Sequence, residues 1–213
     1  RGGYQKREYW KQGFVQSGRG LSWEEALELS RDSTGRPGPS TWELGEYPAG
    51  QGDYPVSGVS WYEAAAYAEF AGKQLPTIYH WQQAASPGWF ADILALSNFS
   101  GAGSARAGSY KGLGAFGTLD MAGNVKEWCW NQTGGRRYIR GGAWNEPDYM
   151  FTALDARQPW DRSAQNGFRC VRYDVSKESG VRASVTKPVR DFNKETPAPD
   201  EVFRLYRSLY ASD

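Results

Sequence analysis

Residues 116–128 read FGTLDMAGNVKEW, and this stretch decides the fold because further motifs stand in a fixed order around it. In chain order, these motifs are YPVSGVSWYEAAAY at 54–67, GKQLPT at 72–77, RGGAW at 140–144 and GFR at 167–169. The chain also holds 26 Gly, and 15% of its residues are aromatic. This composition predicts short elements, many turns and a core built on a few large aromatic side chains.

Charge and hydropathy exclude two classes of partner. The 213 residues carry 25 Lys and Arg against 24 Asp and Glu, which gives a formal net charge of +1. This balance argues against electrostatically driven binding to nucleic acid or to an anionic membrane. No apolar run approaches the roughly 20 residues that a membrane-spanning helix requires. The first ten residues also lack the apolar region of a signal peptide. We therefore predict no nucleic-acid partner and no membrane span in this chain.

Histidine and cysteine are too scarce for several kinds of metal centre. The one histidine, His80, excludes a three-histidine iron site and a two-histidine zinc protease motif. Because no nucleophile accompanies it, we expect His80 to be a hydrogen-bonded helix residue. The two cysteines, Cys129 and Cys170, are too few for a disulfide scaffold or a four-cysteine zinc site. We expect two free, buried thiols, and a disulfide between them is the alternative.

Local signals predict three helices and two strands. Ser22 and Ser60 each begin an S-W-x-E capping box, so helices are expected over 22–31 and 60–71, with a third from Thr77 to before Pro87. Two later stretches, 137–140 and 167–173, have the character of strands, and the second alternates apolar and basic residues. The connecting stretches 35–53 and 86–117 are rich in glycine and are predicted to be loops.

The character of the chain changes after Tyr173. We predict one domain over residues 1–175, followed over 176–213 by a polar linker with prolines and a short C-terminal helix. The helix begins at Asp200 and carries an apolar stripe. The stripe consists of Val202, Phe203, Leu205, Tyr206, Leu209 and Tyr210.

Together, the motifs resemble the formylglycine-generating enzyme (sulfatase-modifying factor) family over about residues 54–173. The resemblance implies an α+β fold of the irregular, C-type-lectin-like kind, with a small antiparallel sheet, flanking helices and many loops. Members of the family have a first strand before the equivalent of Gly2. We therefore expect this N-terminal strand to be absent and an unpaired sheet edge to allow homo-oligomers.

The resemblance does not extend to the copper-binding residues of the family's oxidases. These enzymes bind copper through two cysteines a few residues after an R-G-G-S motif, and they oxidise a substrate cysteine. Here Ala143 replaces the serine, residues 144–151 read WNEPDYMF, and Lys126 stands where an aromatic residue is expected. Because a thiolate pair selects Cu(I), we expect no copper and no catalytic residue. The family's sulfoxide synthases hold iron on three histidines, which this chain lacks.

A calcium loop is a further implication of the resemblance. Asp120 and Glu127 would supply carboxylate oxygens, and Gly123 and Val125 would supply backbone carbonyls. Calcium takes six to eight oxygen ligands and tolerates irregular loops. The alternative is that the two carboxylates only cap turns and pair with nearby arginines.

The resemblance also implies a ligand pocket where the oxidases hold their peptide. Its aromatic, polar and charged residues would be Trp144, Asn145, Glu146, Asp148, Arg157 and Trp160. Tryptophan beside paired acidic and basic groups is a plausible ligand site. The alternative is that Arg157, Arg162 and Arg169 form ion pairs that hold the loops together.

These features predict a non-oxidase binding or interaction module with a structural calcium ion. Residues 75–81, 190–195 and 200–203 are similar to modules attached to bacterial serine/threonine kinases. This similarity predicts a sensor or scaffold in a larger signalling protein, cytoplasmic or extracytoplasmic. Its partner would be a protein or a small ligand, with a kinase domain in the same full-length protein. The alternatives are a divergent metal-dependent oxidase of the family and a lectin-like ligand-binding domain of the variable-protein type.

Overall fold

Two capping boxes begin helix α1 (Trp23–Glu28) and helix α2 (Trp61–Phe70). At each start, the serine hydroxyl accepts a hydrogen bond from the third helical amide, and the glutamate accepts one from the cap amide. Both predicted helix starts are confirmed, although α1 ends three residues before the expected Arg31. Reciprocal capping is a local device, so four residues suffice to specify it.

The computed structural model describes residues 3–85, 93–173, 180–186, 191–194, 196–197 and 199–210. Helix α3 (Ile78–Ala85) follows Thr77 as predicted, but the expected end before Pro87 lies outside the described residues. The predicted boundary between residues 175 and 176 also lies outside them. Helix α4 (Asp200–Tyr210) matches the expected C-terminal helix. Within the described ranges, no helix has both the length and the apolar character needed to cross a membrane.

A four-stranded sheet forms the centre of the fold. Its strands are β3 (Lys126–Thr133), β4 (Arg136–Arg140), β5 (Asp155–Arg157) and β6 (Asn166–Gly167), and a separate hairpin is formed by β1 (Val15–Gln16) and β2 (Arg19–Gly20). The sheet order is β5-β4-β3-β6. Strands β5, β4 and β3 are antiparallel, whereas β6 pairs with β3 in parallel. The expected α+β class with a small sheet is confirmed.

The strand predictions need two corrections. The stretch 167–173 is not a continuous strand, because β6 ends at Gly167 and only Val171 makes a further, isolated bridge, to Gln74. Its alternation is misleading because Arg169 points inward, to a buried carboxylate. The central strand β3 carries no prediction, because its sequence, KEWCWNQT, begins with two charged residues that are buried in the fold.

The two faces of β3 and β4 carry two hydrophobic clusters. Trp128 and its cross-strand partner Ile139 belong to the cluster built around α2, in which Trp61 is fully buried. The next residues, Cys129 and Tyr138, belong to the cluster that contains residues of α3. This division follows from the two-residue period of side chains along a strand. The sheet therefore lies between α2 and α3, and its connecting loops form the candidate site.

Candidate functional site

The carboxylate of Glu127, on strand β3, is bound by two neighbouring side chains. Nε and Nη2 of Arg169 each donate to it at 2.6 Å, and Nε1 of Trp81 donates at 2.7 Å. Glu127 is only 5% exposed, so its carboxylate is shielded from water, whereas the Arg169 side chain is 27% exposed. Burial opposes the charge on Arg169, but the Glu127 carboxylate raises the pKa of the guanidinium above its ordinary value.

The rest of the predicted calcium loop forms a tight turn. Asp120 has a φ of 55°, and its Oδ2 accepts from the amide of Gly108 at 2.6 Å. Gly123 has a φ of 69°, and a Cβ at this position would lie 2.3 Å from the carbonyl oxygen of Asn98. Only glycine therefore fits where the turn passes this neighbouring segment.

The donor set of this loop does not fit a calcium ion as it is arranged here. Arg169 already supplies the positive charge at Glu127, so a calcium ion at that carboxylate would displace the guanidinium. Across the described ranges, no group of three or more His, Cys, Asp or Glu side chains is placed to hold a metal ion. Calcium binding by Asp120, Gly123, Val125 and Glu127 stays a prediction.

Lys126, the first residue of β3, is almost completely buried and is 2% exposed. Its Nζ lies 2.7 Å from a carboxylate oxygen of Glu146 and 2.7 Å from one of Asp155. Nε of Arg157 also donates to Asp155, at 3.0 Å. Burial alone would raise the pKa of Asp155, but the Lys126 ammonium and the Arg157 guanidinium hold it below its ordinary value. We call Lys126, Glu146, Asp155 and Arg157 the ion cluster. Within it, Glu146 and Asp155 are the two counterions of Lys126.

The structure brings together only some of the predicted pocket residues. Glu146 and Arg157 belong to the ion cluster, whereas the half-buried Trp144 lines a separate cleft. Asn145 and Asp148 are exposed, and among the described residues no hydrogen bond or ion pair is found for their side chains. The predicted residues therefore divide between the ion cluster, the cleft and the surface.

Trp160 lies away from these residues, in the hydrophobic cluster around α2. Its ring packs on Tyr62 with the centroids 4.5 Å apart, and it also contacts Phe14. Its Nε1 donates to the carbonyl oxygen of Val15 at 3.0 Å, which joins it to strand β1. These contacts hold both the ring and the Nε1 of Trp160. Trp160 therefore packs in this cluster and does not lie beside Trp144, where the sequence predicts it.

Trp144 forms one wall of a cleft of about 410 Å³. The facing walls come from residues 41–57 and are aromatic, with Trp42, Tyr47 and Tyr54 lining the space. The rings of Trp42 and Tyr47 meet edge to face with their centroids 5.7 Å apart. Because small-ligand sites typically enclose about 300–1,000 Å³, this cleft, with its aromatic and polar lining, has the volume of a binding site.

Asp32 fixes the loop that carries the aromatic wall. Its Oδ1 accepts from the amide and hydroxyl of Thr34 and from the amide of Arg36, and its Oδ2 accepts from the amide of Gly45 at 2.6 Å. Burial opposes ionisation, but these hydrogen bonds lower the pKa of Asp32 to about 2. The carboxylate is therefore ionised at neutral pH, where it holds the loop around Trp42 in place.

Backbone hydrogen bonds fix the Trp144 wall. The amide of Trp144 donates to the carbonyl oxygen of Asn124 at 2.9 Å, and its carbonyl accepts from the amide of Gly101 at 2.6 Å. The Asn124 side chain in turn binds the amide and carbonyl of Ala105. Both walls of the aromatic cleft are thus anchored before any ligand binds.

Of the four aromatic residues at the cleft, only Trp144 is predicted from sequence. Trp42, Tyr47 and Tyr54 lie in or next to the stretch 35–53, which the Gly and Pro content predicts to be a plain loop. Their signal is the presence of three large aromatic residues in such a loop, where no helix or strand buries them. That signal indicates a binding surface, but it does not indicate that Trp144 lies opposite.

The two cysteines are free thiols, with Cys129 buried and Cys170 half-buried. Burial raises the pKa of Cys129 above its ordinary value, and the Glu127 carboxylate raises it further. Burial also raises the pKa of Cys170. Both side chains are therefore neutral thiols at neutral pH, whereas a copper ligand is a thiolate. The expectation of free thiols is confirmed, although Cys170 is less buried than expected.

His80 has the hydrogen-bonded environment expected of a structural helix residue. Its Nδ1 lies 2.6 Å from the hydroxyl oxygen of Thr77 and 3.3 Å from that of Tyr173. The Tyr173 ring also packs against the imidazole, with the centroids 4.6 Å apart. These contacts join the start of α3 to the segment after β6.

The three predicted arginines all form ion pairs, and the pairs of Arg162 and Arg169 join distant segments, whereas Arg157 and its partner lie on the same strand, β5. Each forms an ion pair with a carboxylate: Arg157 with Asp155, Arg162 with Glu63, and Arg169 with Glu127. Two of these carboxylates are almost fully buried, so these pairs are part of the folded core and not of a ligand surface.

Comparison with known families identifies one match. The profile of the sulfatase-modifying factor enzyme 1-like domain covers residues 12–174. This range includes the aromatic cleft, the ion cluster and the whole four-stranded sheet.

The curated relatives include protein kinases, formylglycine-generating enzymes and a hercynine oxygenase. Serine/threonine-protein kinase pkn1 of Chlamydia pneumoniae is 32% identical over 157 residues, which cover 58% of this chain and 25% of the kinase. The formylglycine-generating enzyme of Streptomyces coelicolor is 30% identical over 213 residues, which cover 78% of this chain and 62% of that enzyme. The chain thus spans less than two thirds of the length of either relative.

Among solved structures, the crystal structure of CarF aligns with a TM-score of 0.47 and 22% sequence identity. The alignment covers 62% of this chain and 70% of that one.

Proposed function

The chain belongs to the family of sulfatase-modifying factor enzyme 1-like domains, and from this premise we propose that it is a non-oxidase binding module. Its binding surface is the aromatic cleft between Trp144 and the loop over residues 41–57. The ligand is a short, extended peptide segment of a partner protein.

One observation carries the non-oxidase part of the proposal. Residues 144–151, where the family's oxidases have their copper-binding cysteines, make other contacts here. Glu146 is paired with the buried Lys126, and Phe151 is 1% exposed and packs against Trp81. An ammonium group at this position repels a copper ion, and neither a carboxylate nor a phenyl ring replaces the thiolate pair that selects Cu(I).

The shape and chemistry of the cleft support a peptide ligand. The cleft is an open groove, and Tyr47 on its wall is 49% exposed. Aromatic side chains offer large contact areas at a small cost in conformational entropy, and they dominate binding energy at protein interfaces. Proline-rich and extended peptides are bound in aromatic-lined grooves of this kind in other domains.

The relatives support a place for the module in a larger signalling protein. One of them is a serine/threonine kinase of which this chain covers a quarter of the length. A binding module beside a kinase domain would bring a partner or substrate to that kinase, as a sensor or scaffold. The charge balance of the chain fits this role better than a nucleic-acid or membrane role.

A divergent metal-dependent oxidase is the second candidate, because another relative is a formylglycine-generating enzyme. It would need a metal site other than a cysteine pair in residues 144–151. Tight copper binding by the purified protein would separate the two candidates.

Peptide binding tests the cleft. We expect short random peptides selected on the wild-type protein to bind the Tyr47→Ala variant at least about tenfold more weakly, because one aromatic wall is lost. The matched control is Tyr79→Ala, since Tyr79 is 51% exposed on α3, compared with 49% for Tyr47, and does not line the cleft. Equal affinity of the selected peptides for both variants, measured by fluorescence anisotropy, would show that they bind elsewhere.

A further inference from the structure

Arg140, at the end of strand β4, is a buried arginine with no carboxylate partner among the described residues. It is 5% exposed. Its Nη1 donates to the carbonyl oxygens of Thr152 and Ala153, and its guanidinium lies 5.0 Å from the ring centroid of Trp81. Its Nε is buried without a hydrogen-bond partner, and the described part of the chain offers none to Nη2. One edge of the guanidinium is therefore fixed, and the other edge is unused.

The unused edge is the one through which this protein binds carboxylates elsewhere. Arg162 donates from Nε and Nη2 to Glu63, and Arg169 donates from Nε and Nη2 to Glu127. Paired N–H groups on this edge match the spacing of the two carboxylate oxygens. In Arg140 nothing is bound to this edge, and because Nε is closed to solvent, Nη2 is the donor that a ligand can reach.

Burial without a counterion is costly for Arg140. A buried polar group that lacks a partner loses its hydration without compensation, and the loss is larger for a charged group. In line with this, burial lowers the pKa of Arg140 below its ordinary value. Contact with the Trp81 ring offsets part of the cost through a cation–π interaction, but it leaves the N–H edge unpaired.

A cavity of about 240 Å³ adjoins this arginine. Trp81 and Phe151 supply apolar walls, and Gln82 and Thr152 add polar groups. A cavity of about 150 Å³ holds a benzene molecule in another protein, so this one has room for a ring with a polar substituent. Apolar walls around a single charged donor are typical of sites for small amphipathic ligands.

We propose that this cavity binds a small organic carboxylate, which accepts a hydrogen bond from Nη2 of Arg140 while its apolar part packs on Trp81 and Phe151. The site is distinct from the aromatic cleft, with which it shares no lining residue among those described. It therefore goes beyond the proposed function and gives the module a second ligand.

Two neighbouring glutamines provide a matched test that leaves Arg140 in place. Gln82 and Gln83 are both exposed on α3, but only Gln82 lines the cavity. A glutamate at position 82 would offer Arg140 a tethered carboxylate and repel a free one. A glutamate at position 83 changes the net charge equally without reaching the cavity.

The probe is 4-fluorobenzoate, followed by ¹⁹F NMR at neutral pH and constant ionic strength. We expect saturable binding to the wild type, binding to Gln83→Glu with about the same affinity, and binding at least about tenfold weaker to Gln82→Glu. The neutral 4-fluorobenzamide should not compete. The proposal is overturned if the wild type shows no saturable binding, if the benzamide competes equally, or if both glutamate variants lose affinity to the same extent.

Discussion

Replacing Glu63 with glutamine will lower the free energy of unfolding by about 3–5 kcal/mol, because the change breaks a buried ion pair. Glu63 is 5% exposed and accepts from Nε and Nη2 of Arg162 at 2.8 and 2.9 Å. It also accepts from the amide of Ser60 at 2.7 Å and the hydroxyl of Tyr4 at 2.9 Å. Glutamine keeps one acceptor oxygen, but its amide NH2 group would face the N–H and O–H donors that the second carboxylate oxygen now accepts from. The substitution also leaves Arg162 without its counterion.

The effect extends beyond α2 because Arg162 also binds the backbone of the segment that follows helix α1. Its Nη1 donates to the carbonyl oxygens of Leu29 and Arg31, at 3.0 and 2.6 Å. The ion pair of Glu63 and Arg162 therefore joins the segment after α1, helix α2 and the segment before β6. Chemical denaturation with urea measures the loss directly.

Glu69→Gln is the matched control, since Glu69 lies on the same helix and also forms an ion pair. Its partner is Lys11, and the two side chains are 33% and 60% exposed. Exposed pairs of this kind contribute about 1 kcal/mol or less. Similar losses in the two variants would mean that Glu63 is not the buried connection described here.

Glu127→Gln should cost a similar amount, about 3–5 kcal/mol, and the cost should be the same with and without a calcium chelator. The reason is that Arg169 and Trp81 are the partners of this carboxylate, at 2.6 to 2.7 Å. The substitution leaves the Arg169 guanidinium, whose side chain is 27% exposed, without its opposite charge. Thermal and urea unfolding of both proteins, each with EDTA and with added calcium, gives the comparison.

This experiment also tests whether the predicted loop binds calcium. If Asp120 and Glu127 bind calcium, the wild type will melt at a lower temperature in EDTA, and the penalty for Glu127→Gln will appear only when calcium is present. Such a result would contradict the ion-pair role of Glu127. A penalty that does not depend on calcium would support it.

Local sequence signals predict the helices well because their causes are local. The capping boxes at Ser22 and Ser60 need only the residues within one turn, and both helices begin where expected. The central strand β3 is a different case, because Lys126 and Glu127 are polar yet buried. Their burial depends on partners far along the chain, such as Arg169, and no local period reveals such a pairing.

The candidate site is predicted only in part, because its two walls come from distant parts of the sequence. Trp144 is found through its motif, but its opposite wall at Trp42 and Tyr47 is about a hundred residues away in sequence and meets it only in the folded chain. The alternation at 167–173 indicates a strand with its basic residues exposed, whereas Arg169 is turned to a buried carboxylate. Motifs thus locate single residues, and tertiary packing decides which of them meet.

Copper stoichiometry is the most direct test of the claim that this domain is not an oxidase. The purified protein would be incubated with Cu(I) and a weak competing chelator, desalted and analysed for metal. Because Glu146 is paired with Lys126 and both cysteines are neutral thiols in separate surroundings, we predict copper far below one ion per chain. One tightly held copper ion per chain would contradict the account and favour a divergent oxidase.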